Sequence, residues 1–167
     1  MTSSSAFYLN LHPLCEILGQ QLLERRWQLA TAESCTGGGL AAAITQVAGS
    51  SAWFECGVVS YANRIKQKLL QVDAETLATE GAVSEAVVIQ MAKGILSLSE
   101  ADIAVAITGI AGPSGGSVNK PVGTVWLAWA RMNGEVRTKI FHFSGDRIQV
   151  QHQAIEQGLR GLLTFFD

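Results

Sequence analysis

The sequence predicts an α/β fold: a three-layer α/β/α sandwich on a mixed, mostly parallel sheet, read as a single domain over residues 1–167. Three observations lead there. Short apolar runs alternate with segments whose apolar residues recur at helical spacing. One run, Asp102 to Thr108 (DIAVAIT), is apolar enough to be a strand buried on both faces. Asn133-Gly134, between two further strand-like runs, signals a hairpin that mixes an antiparallel pair into the sheet. At 167 residues and 48% apolar content, the chain is long enough to bury a sizeable core.

The elements follow in order. Leu11 to Arg26 reads as a helix, with Leu14, Ile17, Leu18, Leu22 and Leu23 on one apolar face. Gln28 to Ala32 is a short strand, and Gly37 to Val47 a helix whose alanines allow close packing on a sheet. Gly57 to Tyr61 is a strand rich in β-branched residues, Asn63 to Leu70 a helix that Asn63 can cap, and Glu75 to Thr79 a short helical piece. Ser84 to Leu98 is a longer helix with Ser84 as its N-cap. After the DIAVAIT strand comes the loop GIAGPSGGSVNKPVG, long for a connection without a purpose. Val122 to Arg131 and Glu135 to Phe143 form the hairpin, through an expected I′ turn with positive φ at Asn133 and Gly134. Asp146 to Phe166 closes the chain as a helix, although Gly158 costs it ~1 kcal/mol.

Charge and composition remove several functions. A formal charge of -2, with no basic cluster interleaved with aromatics, predicts neither nucleic acid nor an anionic membrane as partner. Met1 to Asn10 lacks the basic start and apolar run of a signal peptide, and no apolar stretch is long enough to span a bilayer. Cys15, Cys35 and Cys56 form no CxxC pair, which with the missing signal points to reduced thiols in a cytoplasm. His12, His142 and His152 are scattered without zinc spacing. Neither a metal nor a cofactor is expected, though counting leaves open a single carboxylate-bound magnesium.

The chemistry gathers at strand ends, where open α/β sheets place their sites. In TAESCTGGG, Gly37, Gly38 and Gly39 let backbone approach a ligand, while Ser34 and Thr36 add hydroxyls next to a helix start that suits an anion. No Lys-Ser or Lys-Thr follows, so this is not a P-loop, and plain helix capping remains an alternative. In the second loop, Gly109, Gly112, Gly115 and Gly116 surround Pro113-Ser114 and can cradle an anion; a flexible connection is the alternative. Between the loops, Asn63 and Lys66 lie one turn apart and can face one cleft. Lys66 is either solvated or buried enough for desolvation to make it a base. Cys35, at a helix N-terminus, is the second-choice nucleophile after Ser34.

The blocks TAESCTGG, SSAWFECGVVSYANRIK, AVSEAVV, TGIAGPSGG with KPVGTVW, and FSGDR, in this order from about Leu14 to the last helix, resemble the CinA C-terminal family. The resemblance implies a three-layer fold, at least a homodimer, and hydrolysis of the carboxamide of nicotinamide mononucleotide to nicotinic acid mononucleotide and ammonia. The further N-terminal, molybdopterin-binding-like domain of longer family members is not expected. The family's catalytic residues fall on Ser34 as nucleophile and on Tyr61 and Lys66 as its activating partners. Substrate binding is expected from Cys35, Thr36, Gly37, Gly38, Asn63, Thr108, Gly109, Gly112, Gly115, Gly116 and Arg147, the last as the cation for the phosphate. Two positions depart from the family: Ala62 stands where Ser or Thr is usual, and Gln151 where an arginine is expected, with phosphate binding or substrate choice in question. Two rival functions stay open: a module that binds a pyridine nucleotide without turnover, and an amidase for another small carboxamide.

Overall fold

The computed structural model describes residues 3–166, with side chains from Ala6 onward. Five strands, β1 (Leu29–Glu33), β2 (Phe54–Val59), β3 (Ile103–Gly109), β4 (Thr124–Arg131) and β5 (Val136–His142), form one sheet in the order β2-β1-β3-β4-β5. β2, β1 and β3 pair in parallel, while β3–β4 and β4–β5 pair antiparallel. Only β4 therefore runs against the rest, and the sheet is mixed but mostly of one direction. The helices are α1 (Ser3–Arg25), α2 (Gly39–Thr45), α3 (Asn63–Leu70), α4 (Ala74–Glu80), α5 (Glu85–Ser99) and α6 (Arg147–Thr164).

Alternation along the strands divides the core in two. Ile103, Val105 and Ile107 of β3 point with Leu29, Val125, Leu127 and Trp129 toward α1, α2 and α6. Ala104 and Ala106 point with Ala30, Ala32, Ala128 and Ala130 toward α5. Large side chains thus fill one layer, and a floor of alanines lets α5 lie close on the other. The same closeness continues outward: a Cβ at Gly94 of α5 would stand 1.9 Å from the Leu70 carbonyl oxygen at the end of α3. Gly158 does not interrupt α6. Its carbonyl accepts from Trp129 Nε1 at 2.9 Å, and it is Gly161, three residues on, that leaves room for the indole, since a Cβ there would overlap the ring.

The structure corrects several expectations of detail. α1 begins at Ser3 and runs through Pro13, so residues before Leu11 are helical. Its buried stripe is Leu11, Cys15, Leu18 and Leu22; Ile17 and Leu23 are half exposed. Cys15 counts as a small hydrophobe, which turns the buried face by one position. A 3₁₀ turn at Ser50–Ala52 went unanticipated. The hairpin is not type I′. Gly134 has φ 96, but Asn133 is not among the residues with positive φ. The Gly134 N–H donates to the Arg131 carbonyl and the Arg131 N–H to the Glu135 carbonyl. This three-residue loop is a type I turn closed by a left-handed glycine, which needs positive φ only at Gly134. Ser84 caps α5, accepting from the Val87 N–H. α3 is capped by Ala62, which has no side chain for the task, and not by Asn63, its first helical residue.

Candidate active site

Because β2, β1 and β3 are parallel, their carboxyl ends open at one edge of the sheet. The Ser34 N–H donates to the Ile107 carbonyl (3.0 Å), and the Ser60 N–H to the Glu33 carbonyl (2.8 Å). The ladder thereby extends one residue past β1 on both sides and pins Ser34 at the mouth. A cleft of about 320 Å³ lies there, lined among others by Ser34, Cys35, Tyr61, Lys66, Thr108 and Arg147. A cavity of similar size, about 330 Å³, lies between β5 and α6, lined among others by Arg137, Thr138, Lys139, Arg160 and Thr164.

Lys66 enters the cleft from the second turn of α3. It is 1% exposed, and its Nζ lies 2.9 Å from Ser34 Oγ and 2.5 Å from the Ser60 carbonyl oxygen, to which it donates. Burial of the ammonium lowers its pKa from 10.5 to about 8. The secondary, opposing influence is the charge of Cys35. That thiol is itself pushed up to about 12, chiefly by burial, so it is uncharged near neutral pH. Lys66 thus has no anion beside it to hold its proton, and the sequence alternative of a solvated lysine is excluded. The same shift removes Cys35 as a thiolate nucleophile.

The residue that shapes the nucleophile's turn is Glu33, which the sequence reading passed over. Its side chain is 1% exposed and accepts from Thr36 Oγ1 (2.6 Å), Gly38 N (3.1 Å), Leu40 N (3.0 Å) and Ala41 N (2.9 Å). The start of α2 is therefore already occupied by an anion belonging to the chain. Thr36, Gly37 and Gly38, expected to hold a substrate anion, do not line the cleft, and the Gly37 N–H donates to the Ser34 carbonyl. A carboxylate just ahead of a glycine-rich helix start is a signal that helix-dipole reasoning could have used.

The other expected residues divide. Cys35, Asn63, Thr108, Gly109, Gly112, Gly115 and Arg147 line the cleft. Thr108 Oγ1, however, donates to the Ala82 carbonyl (2.8 Å) and so ties β3 to the segment that forms one wall. Gly116 does not line the cleft; it packs against Val122, whose backbone N a Cβ there would approach to 2.8 Å. Tyr61 is 60% exposed at the rim, and its hydroxyl accepts from Arg147 Nη2 (2.9 Å), with no hydrogen bond to Ser34 or Lys66. Arg147 Nη1 donates to the Gly112 carbonyl (2.8 Å), so the guanidinium bridges the two sides of the mouth. Ala82, Val83, Ile110 and Ala111 supply an apolar wall that the sequence reading did not single out. Among the described residues, no cluster of His, Cys, Asp or Glu could hold a metal, and no helix is long and apolar enough to cross a membrane.

Three comparisons with known proteins bear on the family and fold of this chain. The family model for the CinA C-terminal domain matches residues 11–166. The chain is 54% identical over 156 residues to the nicotinamide-nucleotide amidohydrolase PncC of Escherichia coli strain K12, covering 93% of this chain and 94% of that protein. It is 49% identical to a CinA-like protein of Akkermansia muciniphila, of which it covers 35%. Among solved structures, the competence/damage inducible protein CihA from Agrobacterium tumefaciens superposes with a TM-score of 0.92 at 40% identity, over 94% of this chain and 96% of that one.

Proposed function

This chain belongs to the CinA C-terminal domain family, and from that premise we propose that it hydrolyses the carboxamide of nicotinamide mononucleotide to nicotinic acid mononucleotide and ammonia. The observation that carries the proposal is the buried Lys66 amine 2.9 Å from Ser34 Oγ, with its pKa brought to about 8. An amide carbon is a poor electrophile and needs an activated nucleophile. Neutral Lys66 takes the hydroxyl proton as Ser34 Oγ bonds to the amide carbon, and the carbonyl oxygen takes the negative charge. As the C–N bond breaks, the Lys66 ammonium returns that proton to the leaving nitrogen, which departs as ammonia. Water then attacks the acyl ester, giving its proton to Lys66. The acid is released, and the proton passes back to Ser34 Oγ. Serine and lysine suffice for this cycle without histidine.

In the proposed pose, the pyridine ring lies on the wall of Ala82, Val83, Ile110 and Ala111, and the phosphate meets Arg147 beside Gly112, Ser114 and Gly115. Tyr61 then serves the phosphate side through Arg147 rather than Ser34. A cytoplasmic homodimer belongs to the same proposal, its mass to be read by light scattering.

The test is release of ammonia and nicotinic acid mononucleotide, with Ser34→Ala and Lys66→Ala in parallel and nicotinamide riboside as second substrate. We expect turnover by the parent, loss of most of the rate in both variants, and poor use of the riboside. Release that survives Ser34→Ala refutes the nucleophile. Binding without release assigns the chain to the non-catalytic class, and equal turnover of the riboside refutes the phosphate subsite.

A further inference from the structure

Gln151, on the second turn of α6, reaches across to the nucleophile's turn: its Nε2 donates to the carbonyl of Cys35 at 2.8 Å. Gln151 is half-buried and does not line the cleft. The only side-chain hydrogen bond of Gln151 among the described residues goes to the residue directly after Ser34. Cys35 is thus held on both sides. The peptide before it is fixed by the Gly37 N–H donating to the Ser34 carbonyl (3.0 Å), the peptide after it by Gln151.

The Cys35 N–H meets no acceptor on another described residue; its partner is the weakly accepting sulfur of its own side chain, and Cys35 is only 5% exposed. A main-chain donor with so weak an acceptor keeps most of its hydrogen-bonding capacity, and Cys35, the residue after Ser34, lines the cleft. The N–H groups at the start of α2 cannot take this part, because Glu33 occupies them. The Cys35 N–H shares one rigid amide plane with the Ser34 carbonyl, which the Gly37 N–H holds, and Gln151 holds the next plane at the Cys35 carbonyl, which restrains rotation between the two.

We propose that Gln151 is a positioning residue for catalysis: by holding the Cys35 carbonyl from α6, it keeps the Cys35 N–H aimed at the carbonyl oxygen of the substrate when that oxygen becomes charged. The inference rests on the assignment of Ser34 as nucleophile. A preorganised donor is worth most when its direction is fixed before the reaction starts, since no reorganisation is then needed as charge develops. It also gives a role to the position where the family pattern leads one to expect an arginine. The side chain there works on the turn, not on the substrate.

The experiment compares kcat, KM for nicotinamide mononucleotide, the dissociation constant of the product nicotinic acid mononucleotide, and Tm in the parent, Gln151→Glu, Gln151→Met and Ser34→Ala. Glutamate keeps the shape but presents oxygens to the Cys35 carbonyl; methionine keeps the length and supplies no donor. Losing an oxyanion donor outright costs on the order of 10²–10³ in kcat, and loosening one costs less. The expected result is a fall in kcat of about 10–100-fold in both variants, with KM and product affinity within about twofold. A raised KM at unchanged kcat makes Gln151 a substrate contact and overturns the proposal. Unchanged kcat in both variants overturns it as well. So does a kcat loss that vanishes when each variant is assayed well below its own Tm, since that describes a purely structural residue. Full activity in Ser34→Ala would instead remove the premise, a result distinct from all the others.

Discussion

Replacing Lys66 by methionine should make the protein more stable while it loses activity. Lys66 is 1% exposed, and burial lowers its pKa from 10.5 to about 8. A difference of that size between folded and unfolded chains corresponds to about 3 kcal/mol. The sign is fixed by proton counting. Between pH 8 and 10.5 the unfolded chain binds more protons than the folded one, so the parent gains stability as pH rises through that window. Below pH 8 both states are protonated, and the full penalty of burying the ammonium is present. Methionine removes the penalty but also the contacts to Ser34 Oγ and the Ser60 carbonyl, together worth about 1–2 kcal/mol. The net expectation at pH 7 is a gain of about 1–2 kcal/mol, or about 3–6 °C in Tm for a chain of this size. The advantage over the parent should shrink steadily from pH 8 to pH 10. In the amide-hydrolysis assay, the parent's kcat/KM should rise with pH and level off above about 8, while Lys66→Met should lose about 10²–10⁴-fold. Thermal melts of both proteins at pH 7, 8, 9 and 10 decide the matter. A less stable Lys66→Met at pH 7, with a Tm difference that does not change with pH, would refute the reasoning and make Lys66 a structural ammonium donor.

Three other substitutions probe the frame around the site. Glu33→Gln replaces an acceptor of four hydrogen bonds by an amide that must turn donors toward donors, and should cost about 2–4 kcal/mol, read as a lower Tm with reduced kcat. Ala62→Ser supplies the N-cap that α3 lacks, at a residue already in extended conformation (φ -89, ψ 145); it should raise stability by about 0.5–2 kcal/mol, seen as a higher urea midpoint at unchanged m. Gly94→Ala drives a Cβ against the Leu70 carbonyl oxygen, a backbone atom at 1.9 Å. It should cost about 1–3 kcal/mol and, because Leu70 ends the helix that carries Lys66, should also lower kcat.

Much of the fold could be read from neighbouring residues. The continuous apolar run in DIAVAIT placed a strand buried on both faces, and β3 does lie inside the sheet with Ile103, Val105 and Ile107 on one side and alanines on the other. Ser84 was legible as an N-cap because capping depends on residues within one turn of each other. Asn133-Gly134 announced a hairpin, but not its turn type, since one added loop residue shifts which position carries positive φ. The stretch TAESCTGG and Lys66 could be singled out as candidates because glycines, hydroxyls and a lysine at strand ends are local facts of the chain.

What these candidates do to one another is not a local property. Three N–H groups and the Thr36 hydroxyl at a glycine-rich helix start read as an open anion site until Glu33 folds back onto them. Tyr61 lies on the nucleophile's side in sequence, yet its hydroxyl finds Arg147, 86 residues away. Gln151 reaches Cys35 across 116 residues, and no spacing rule links them. Lys66 becomes a usable base only because α3, clamped against α5 at Gly94, carries it out of water. Periodicity and turn chemistry act through adjacent residues, so the sequence by itself determined the elements, their order and the loops that hold the site. Desolvation and the partnering of donors with acceptors depend on which distant surfaces meet, and only the tertiary structure decided those.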